Sequence, residues 1–173
     1  MNRKYILILI IIAYIFAYMT YSHQVALTIG DIANVINKFN IPKLLISSVG
    51  LAFNFFVILI MVNLFWLFTS LGITFNKGEN LKDYEVKKAD YFIVFFGVYS
   101  LHFAILTLSS IFLGETISAE ISGLLKYSNI TVVFVTFLIV MWYQFKKNIL
   151  TKISTISITA LTIINVAYTL ITQ

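Results

Sequence analysis

The chain has no cysteine, a single proline and few charged residues, and each shortage excludes a class of protein or site. Without cysteine there is no disulfide, no thiolate nucleophile and no thiolate metal site. Charged residues make up 11% of the chain, less than half of the roughly 25% typical of soluble domains. Such a sequence has too little polar surface to cover its apolar residues in water. A soluble enzyme and a disordered tail are therefore excluded, and a polytopic membrane protein is expected.

Apolar residues are abundant instead, at 60% of the 173 residues, and they fall into five runs. A helix needs about 20 apolar residues to cross a bilayer core. We therefore expect one all-α membrane domain over residues 1–173, a bundle of five transmembrane helices. The expected spans are about 5–21, 44–72, 91–113, 130–145 and 153–171. The second run continues to residue 75, which predicts a tilted or projecting helix.

The first run follows Arg3 and Lys4, so it has the layout of either a signal peptide or a retained anchor. Tyr14, Tyr18 and Tyr21 crowd the region where a signal peptide would be cut. This crowding favours the retained anchor.

Two segments between the runs have amphipathic patterns. The first, about residues 24–39, spaces its apolar residues by four and three, as one face of a helix does: Val25, Ile29, Ile32, Ile36 and Phe39. This pattern predicts an interfacial helix, with an irregular loop as the alternative. The second segment lies between the third and fourth spans, and we expect a short helix there, interrupted by Gly123.

The distribution of basic residues predicts the orientation of the spans. With a cytoplasmic N-terminus, nine of the 12 Lys and Arg residues fall on the cytoplasmic side. The three others are Lys38, Lys43 and Lys126. Because basic residues concentrate in cytoplasmic segments, the prediction is a cell-membrane protein with its N-terminus inside and its C-terminus outside. The usage of Ile, Asn and Lys is typical of an AT-rich bacterial genome.

The main predicted cytoplasmic loop runs from Asn76 to Asp90 and carries charges of both signs. As a functional site it would be a docking loop for a soluble partner, and the alternative is a solvated turn. Its candidate docking residues are Lys77, Lys82, Asp83, Glu85, Lys87 and Lys88.

No Asp, Glu, Lys or Arg lies inside the five predicted spans, so candidate contacts in the membrane come from neutral polar residues. His102 and Tyr99 share a helix face, where they predict a proton relay, a ligand contact or a bond to a neighbouring helix. Asn54 and Asn63 are nine residues apart and point to opposite faces. Asn165 belongs to a hydroxyl-rich last span that either packs against other helices or lines a pathway.

Motifs for catalysis and cofactor binding are missing from the sequence. It has no G-x-S-x-G element, and its two histidines, His23 and His102, are far apart. We therefore predict no catalytic, metal-binding or cofactor-binding residues.

Several local features accompany the five-span layout over about residues 40–172. They are the Lys77–Asp90 loop after a Gly-containing turn, and Trp142-Tyr143 ahead of Lys146-Lys147 and a Ser/Thr-rich last span. This arrangement resembles the Yip-type membrane domain, whose eukaryotic members serve vesicle traffic and contact small GTPases. The family's Asp-Leu-Tyr-Gly-Pro signature is missing here. The resemblance therefore implies a topology, and it implies neither GTPase binding nor site residues.

Together these patterns favour a non-enzymatic membrane protein that acts through protein contacts in the bilayer. It would be an adaptor, an accessory subunit or an immunity-type factor. Its partners would be lipid and either another membrane protein or further copies of itself, and nucleic acid is not expected. The alternative is a small transporter, or a substrate-binding membrane subunit of a larger one.

Overall fold

The computed structural model describes residues 3–24, 30–75, 86–113 and 120–172. These ranges contain no strand and six helices: α1 (Arg3–Gln24), α2 (Gly30–Phe39), α3 (Lys43–Phe75), α4 (Lys88–Leu113), α5 (Glu120–Lys146) and α6 (Lys152–Thr172). All except α2 are long and apolar enough to cross a membrane. The predicted all-α architecture with five membrane-spanning helices is confirmed.

Two of the predicted boundaries differ from the structure. The amphipathic helix expected over 24–39 is α2, which the structure describes from Gly30, while residues 25–29 lie outside the described ranges. The short helix expected between the third and fourth spans is continuous with the fourth, because α5 runs unbroken from Glu120 to Lys146. One glycine costs a helix only about 1 kcal/mol. This cost is too small to end α5, which continues through Gly123.

Asparagines with positive φ end two of the helices. Asn40 closes α2 with φ 49°, and Asn148 closes α5 with φ 51°. In each case the next residue bonds back five positions, Ile41 N to Ile36 O at 3.1 Å and Ile149 N to Gln144 O at 3.0 Å. This is the Schellman arrangement, in which a left-handed residue lets the chain leave the helix abruptly. It makes the α5–α6 turn short enough to place the two helices side by side.

Each helix packs against particular neighbours in the bundle. α1 lies mainly against α4, α3 lies against α6 and α4, and α5 lies against α6 and α4. Aromatic rings fill the space between α1, α3 and α4. Tyr14 and Phe96 are fully buried there with ring centroids 5.0 Å apart, and Phe55 lies 5.0 Å from Phe96. The core of the bundle is therefore aromatic at the junction of these three helices.

Two glycines of α3 allow close approach of neighbouring helices. A methyl group at Gly50 would collide with the hydroxyl of Tyr18 on α1. One at Gly72 would collide with Thr151 Oγ1 and come within 3.1 Å of the backbone nitrogen of Ser154. Small residues bring membrane helices close enough for polar contacts. The two contacts fix α3 against α1 near one end and against the start of α6 near the other.

Candidate functional site

Two hydrogen bonds lie near the middle of α1 and α4. The Tyr14 hydroxyl of α1 donates to Asn54 Oδ1 of α3 at 3.4 Å. On α4, His102 Nε2 lies 3.3 Å from Asn129 Oδ1 of α5. Tyr99 is one turn from His102, and its ring centroid is 6.4 Å from that of Phe103. Polar side chains thus link α1 to α3 and α4 to α5.

A second polar cluster lies where α1 begins, which we call the Arg3 end of the bundle. Its centre is Gln144 of α5, which is fully buried. Gln144 Nε2 donates to Thr69 Oγ1 of α3 at 2.7 Å and to the Tyr91 hydroxyl of α4 at 3.3 Å. Its Oε1 accepts from Ser154 Oγ of α6 at 3.4 Å. One side chain therefore connects four helices.

The hydroxyls of Tyr91 and Thr69 form a directed chain of hydrogen bonds in this cluster. The Tyr91 hydroxyl donates to Thr69 Oγ1 at 2.9 Å, and Thr69 Oγ1 donates to Phe65 O at 2.8 Å. Gln144 has both amide hydrogens in use, since its carbonyl oxygen can only accept. A fully satisfied buried network of this kind specifies one packing arrangement.

The start of α6 is tied into the same cluster. Ser154 N donates to Thr151 Oγ1 and Thr151 N donates to Ser154 Oγ, both at 3.1 Å. This reciprocal pattern is a capping box with serine in place of the usual Glu or Gln. Because Gly72 packs directly on Thr151, α3 covers the cap and excludes larger side chains from it.

Charged groups also gather at the Arg3 end. Arg3 Nη1 lies 3.5 Å from Asp90 Oδ1, and the Tyr143 hydroxyl donates to Asp90 Oδ2 at 2.7 Å. Lys88 Nζ lies 5.3 Å above the Trp66 ring, whose Nε1 donates to Val86 O at 3.0 Å. Since α4 begins at Lys88, Lys88 and Asp90 belong to its first turn. A cluster of cations, a carboxylate and tryptophan is typical of a membrane–water interface.

The two asparagines of α3 face different surroundings. Asn54 points to Tyr14, while Asn63 is exposed on the outside of the bundle. Asn63 Nδ2 donates to Leu59 O of its own helix at 2.6 Å. On α6, Asn165 Nδ2 makes only a long contact of 3.9 Å with Met61 Sδ. Of the hydroxyl residues of α6, Ser154, Thr162 and Thr169 are buried.

The loop predicted as a docking site is only partly described. Lys77, Lys82, Asp83 and Glu85 lie outside the described ranges. Lys87 O accepts from Asp90 N at 3.0 Å as α4 begins, and Lys88 stacks on Trp66. These two lysines therefore belong to the start of a helix.

Comparison of the chain with protein-family models, with curated proteins and with solved structures gives no match. Any functional inference must therefore come from the chain's own residues. Within the described ranges, every buried side-chain nitrogen and oxygen has a hydrogen-bond partner. No three His, Asp or Glu side chains in those ranges come together as a metal site would require.

Sequence reasoning missed Gln144, the centre of the most connected cluster. Its signal was an uncharged polar residue inside an apolar run, two positions before Lys146. Glutamine in a predicted span indicates a hydrogen bond between helices, as asparagine and histidine do.

Proposed function

We propose that the protein is a non-enzymatic membrane protein that acts through contacts with other membrane helices, as an adaptor, an accessory subunit or an immunity-type factor. The observation that carries this proposal is the distribution of polar groups. Inside the described bundle they bond to one another, whereas the amide of Asn63 faces outward. A bundle whose buried polar groups are mutually satisfied is built for packing, and its binding capacity lies on its outer surface.

The proposed orientation keeps the N-terminus in the cytoplasm and the C-terminus outside the cell membrane. The Arg3 end of the bundle would then face the cytoplasm. Its cations, among them Arg3, Lys88 and Lys146, would lie on the side where positive charge is favoured. The loop before α4 would emerge on that side and serve as a second contact, with a soluble partner.

Reconstitution and co-purification test this function. The full-length tagged protein is extracted from its native host in gentle detergent, and the co-purifying proteins are identified by mass spectrometry. The purified protein is also placed in liposomes loaded with neutral and charged solutes. We expect a stoichiometric protein partner or self-association, and no flux above that of empty liposomes. Turnover or solute flux by the protein alone would overturn the proposal.

The second candidate is a small transporter or substrate-binding subunit, favoured by the two long hydrogen bonds at mid-helix. The Tyr14–Asn54 and His102–Asn129 contacts measure 3.4 and 3.3 Å, longer than the roughly 2.5–3.2 Å usual for such hydrogen bonds. Groups held by long bonds can exchange their partners for those of a neutral ligand. Ligand binding to the folded state raises the melting temperature. A rise with a specific ligand that is lost in His102→Leu would favour this function over the first.

A further inference from the structure

The outward face of α3 forms a continuous stripe along the membrane-spanning part of the helix. Its residues recur at intervals of three, four or seven, as one helical face requires, and all are exposed: Val49, Phe56, Ile60, Asn63, Leu67 and Leu71. Over 22 residues the stripe is about 33 Å long, enough to cross a bilayer core. Asn63 is the one polar residue among these six.

The amide of Asn63 has unused hydrogen-bonding capacity. One N–H donates to Leu59 O, while its second N–H and its carbonyl oxygen have no protein partner among the described residues. The bond to Leu59 turns the side chain back along the helix, away from the Arg3 end. Trp66, one turn nearer that end, already contacts Lys88 of the interfacial cluster. The amide is therefore directed into the hydrocarbon, where an unmet donor and acceptor are costly.

We propose that this stripe is a parallel, two-fold interface with a second copy of the chain, centred on reciprocal bonds between the two Asn63 amides. All copies insert with one topology, so a two-fold axis along the membrane normal places each α3 residue opposite itself at the same depth. An amide carries both a donor and an acceptor, which makes it its own complement. The stripe has no charged residue that would select a partner of opposite charge.

The inference rests on the proposed function and names the partner. A second copy would bury the apolar stripe and satisfy the amide in one step. Polar side chains on otherwise apolar membrane helices promote association in this way.

Because the chain has no cysteine, single cysteines report the interface directly. Phe56→Cys, Ile60→Cys and Leu67→Cys are introduced one at a time into the full-length protein in native membranes, which are then treated with a mild oxidant. Leu138→Cys is the matched control, since Leu138 is exposed on α5 and so lies off the stripe. We expect covalent dimers from the three stripe positions and little from the control. Equal cross-linking at all four, or none, would overturn the proposal.

Substitution of Asn63 measures the role of the amide. The dissociation constant is measured in liposomes by energy transfer between two labelled populations at several protein-to-lipid ratios. Asn63→Leu should weaken the dimer about tenfold, equivalent to about 1.4 kcal/mol, and Asn63→Gln should largely preserve it. The control is Thr74→Val, because Thr74 is exposed on the same helix and its hydroxyl already bonds to Ser70 O at 2.9 Å. An unchanged dissociation constant in Asn63→Leu would overturn the central role of the amide.

The failure of this inference is distinguishable from the failure of the proposed function. A photo-reactive group at Ile60 that captures a different membrane protein, with no self-association, overturns the dimer and leaves the adaptor function standing. Solute flux by the protein in liposomes overturns the proposed function, whatever its oligomeric state.

Discussion

The contribution of the Gln144 network to stability can be tested by a substitution that preserves volume. Gln144→Met keeps the length of the side chain and removes three hydrogen bonds, to Thr69, Tyr91 and Ser154. The hydroxyls left behind keep other partners: Thr69 bonds to Phe65 O, Tyr91 to Thr69, and Ser154 to Thr151. No buried group is orphaned, so the loss should be limited to the bonds themselves.

The expected magnitude follows from that count. A side-chain hydrogen bond between membrane helices contributes on average about 0.6 kcal/mol. Because two of the three Gln144 bonds are long, at 3.3 and 3.4 Å, Gln144→Met should lose about 1–2 kcal/mol. Gln144→Ala loses the same bonds and also leaves a void beside a side chain that is fully buried. Its loss should reach about 4 kcal/mol, because unfilled volume in a packed core adds its own cost.

The assay is equilibrium unfolding of the purified protein in mixed micelles, with the free energy extrapolated to zero denaturing detergent. The matched control is Thr131→Val on the same helix, since the Thr131 hydroxyl is exposed and bonds only to Tyr127 O of α5 at 2.8 Å. We expect the control to change the free energy of unfolding by less than about 0.5 kcal/mol. If Gln144→Met changes stability no more than the control does, the network adds nothing net and our account of it is refuted.

Further expectations concern three glycines, a histidine and the chain termini. Gly50→Ala should destabilise the fold by about 1–3 kcal/mol through collision with Tyr18, and Tyr18→Phe should restore much of the loss in an unfolding titration. Gly72→Ala should cost more than Gly97→Ala in the same assay, because nothing lies within 4 Å of a methyl group at Gly97. His102→Leu should lower stability by about 1 kcal/mol, and no change would show that its contact with Asn129 contributes nothing. Reporter fusions should be active in the cytoplasm at the N-terminus and outside the cell at the C-terminus; the reverse would contradict the proposed orientation.

The sequence was sufficient to predict the five spans because the bilayer imposes a length and a composition on each one. The course of α3 to Phe75 was also visible as an apolar run too long for a single upright span. The short helix predicted before the fourth span and the span itself form one helix, α5, which continues through Gly123. The low helix propensity of one glycine is too weak to end a helix of this length.

The polar contacts were less accessible to sequence reasoning. Helical geometry does predict that Asn54 and Asn63 point in opposite directions, and the structure has them on different faces. Helical geometry gives no information on which residues these asparagines contact. Gln144 and Thr69 are 75 residues apart, and no periodicity within one helix specifies which neighbour it will meet. The partners of Gln144 depend on which helices are its neighbours in the folded bundle.

The pairing of α1 with α4 has a consequence for biosynthesis. The first helix reaches the membrane early, yet its main neighbour ends at Leu113, about 90 residues after α1 ends. At 5–20 residues per second, α4 is complete roughly 5–18 s after α1. Asp90, the carboxylate partner of Arg3, itself follows the end of α1 by about 66 residues. α1 therefore lacks its main neighbour until α4 is complete, and α3 is the earlier helix that can contact it in the meantime.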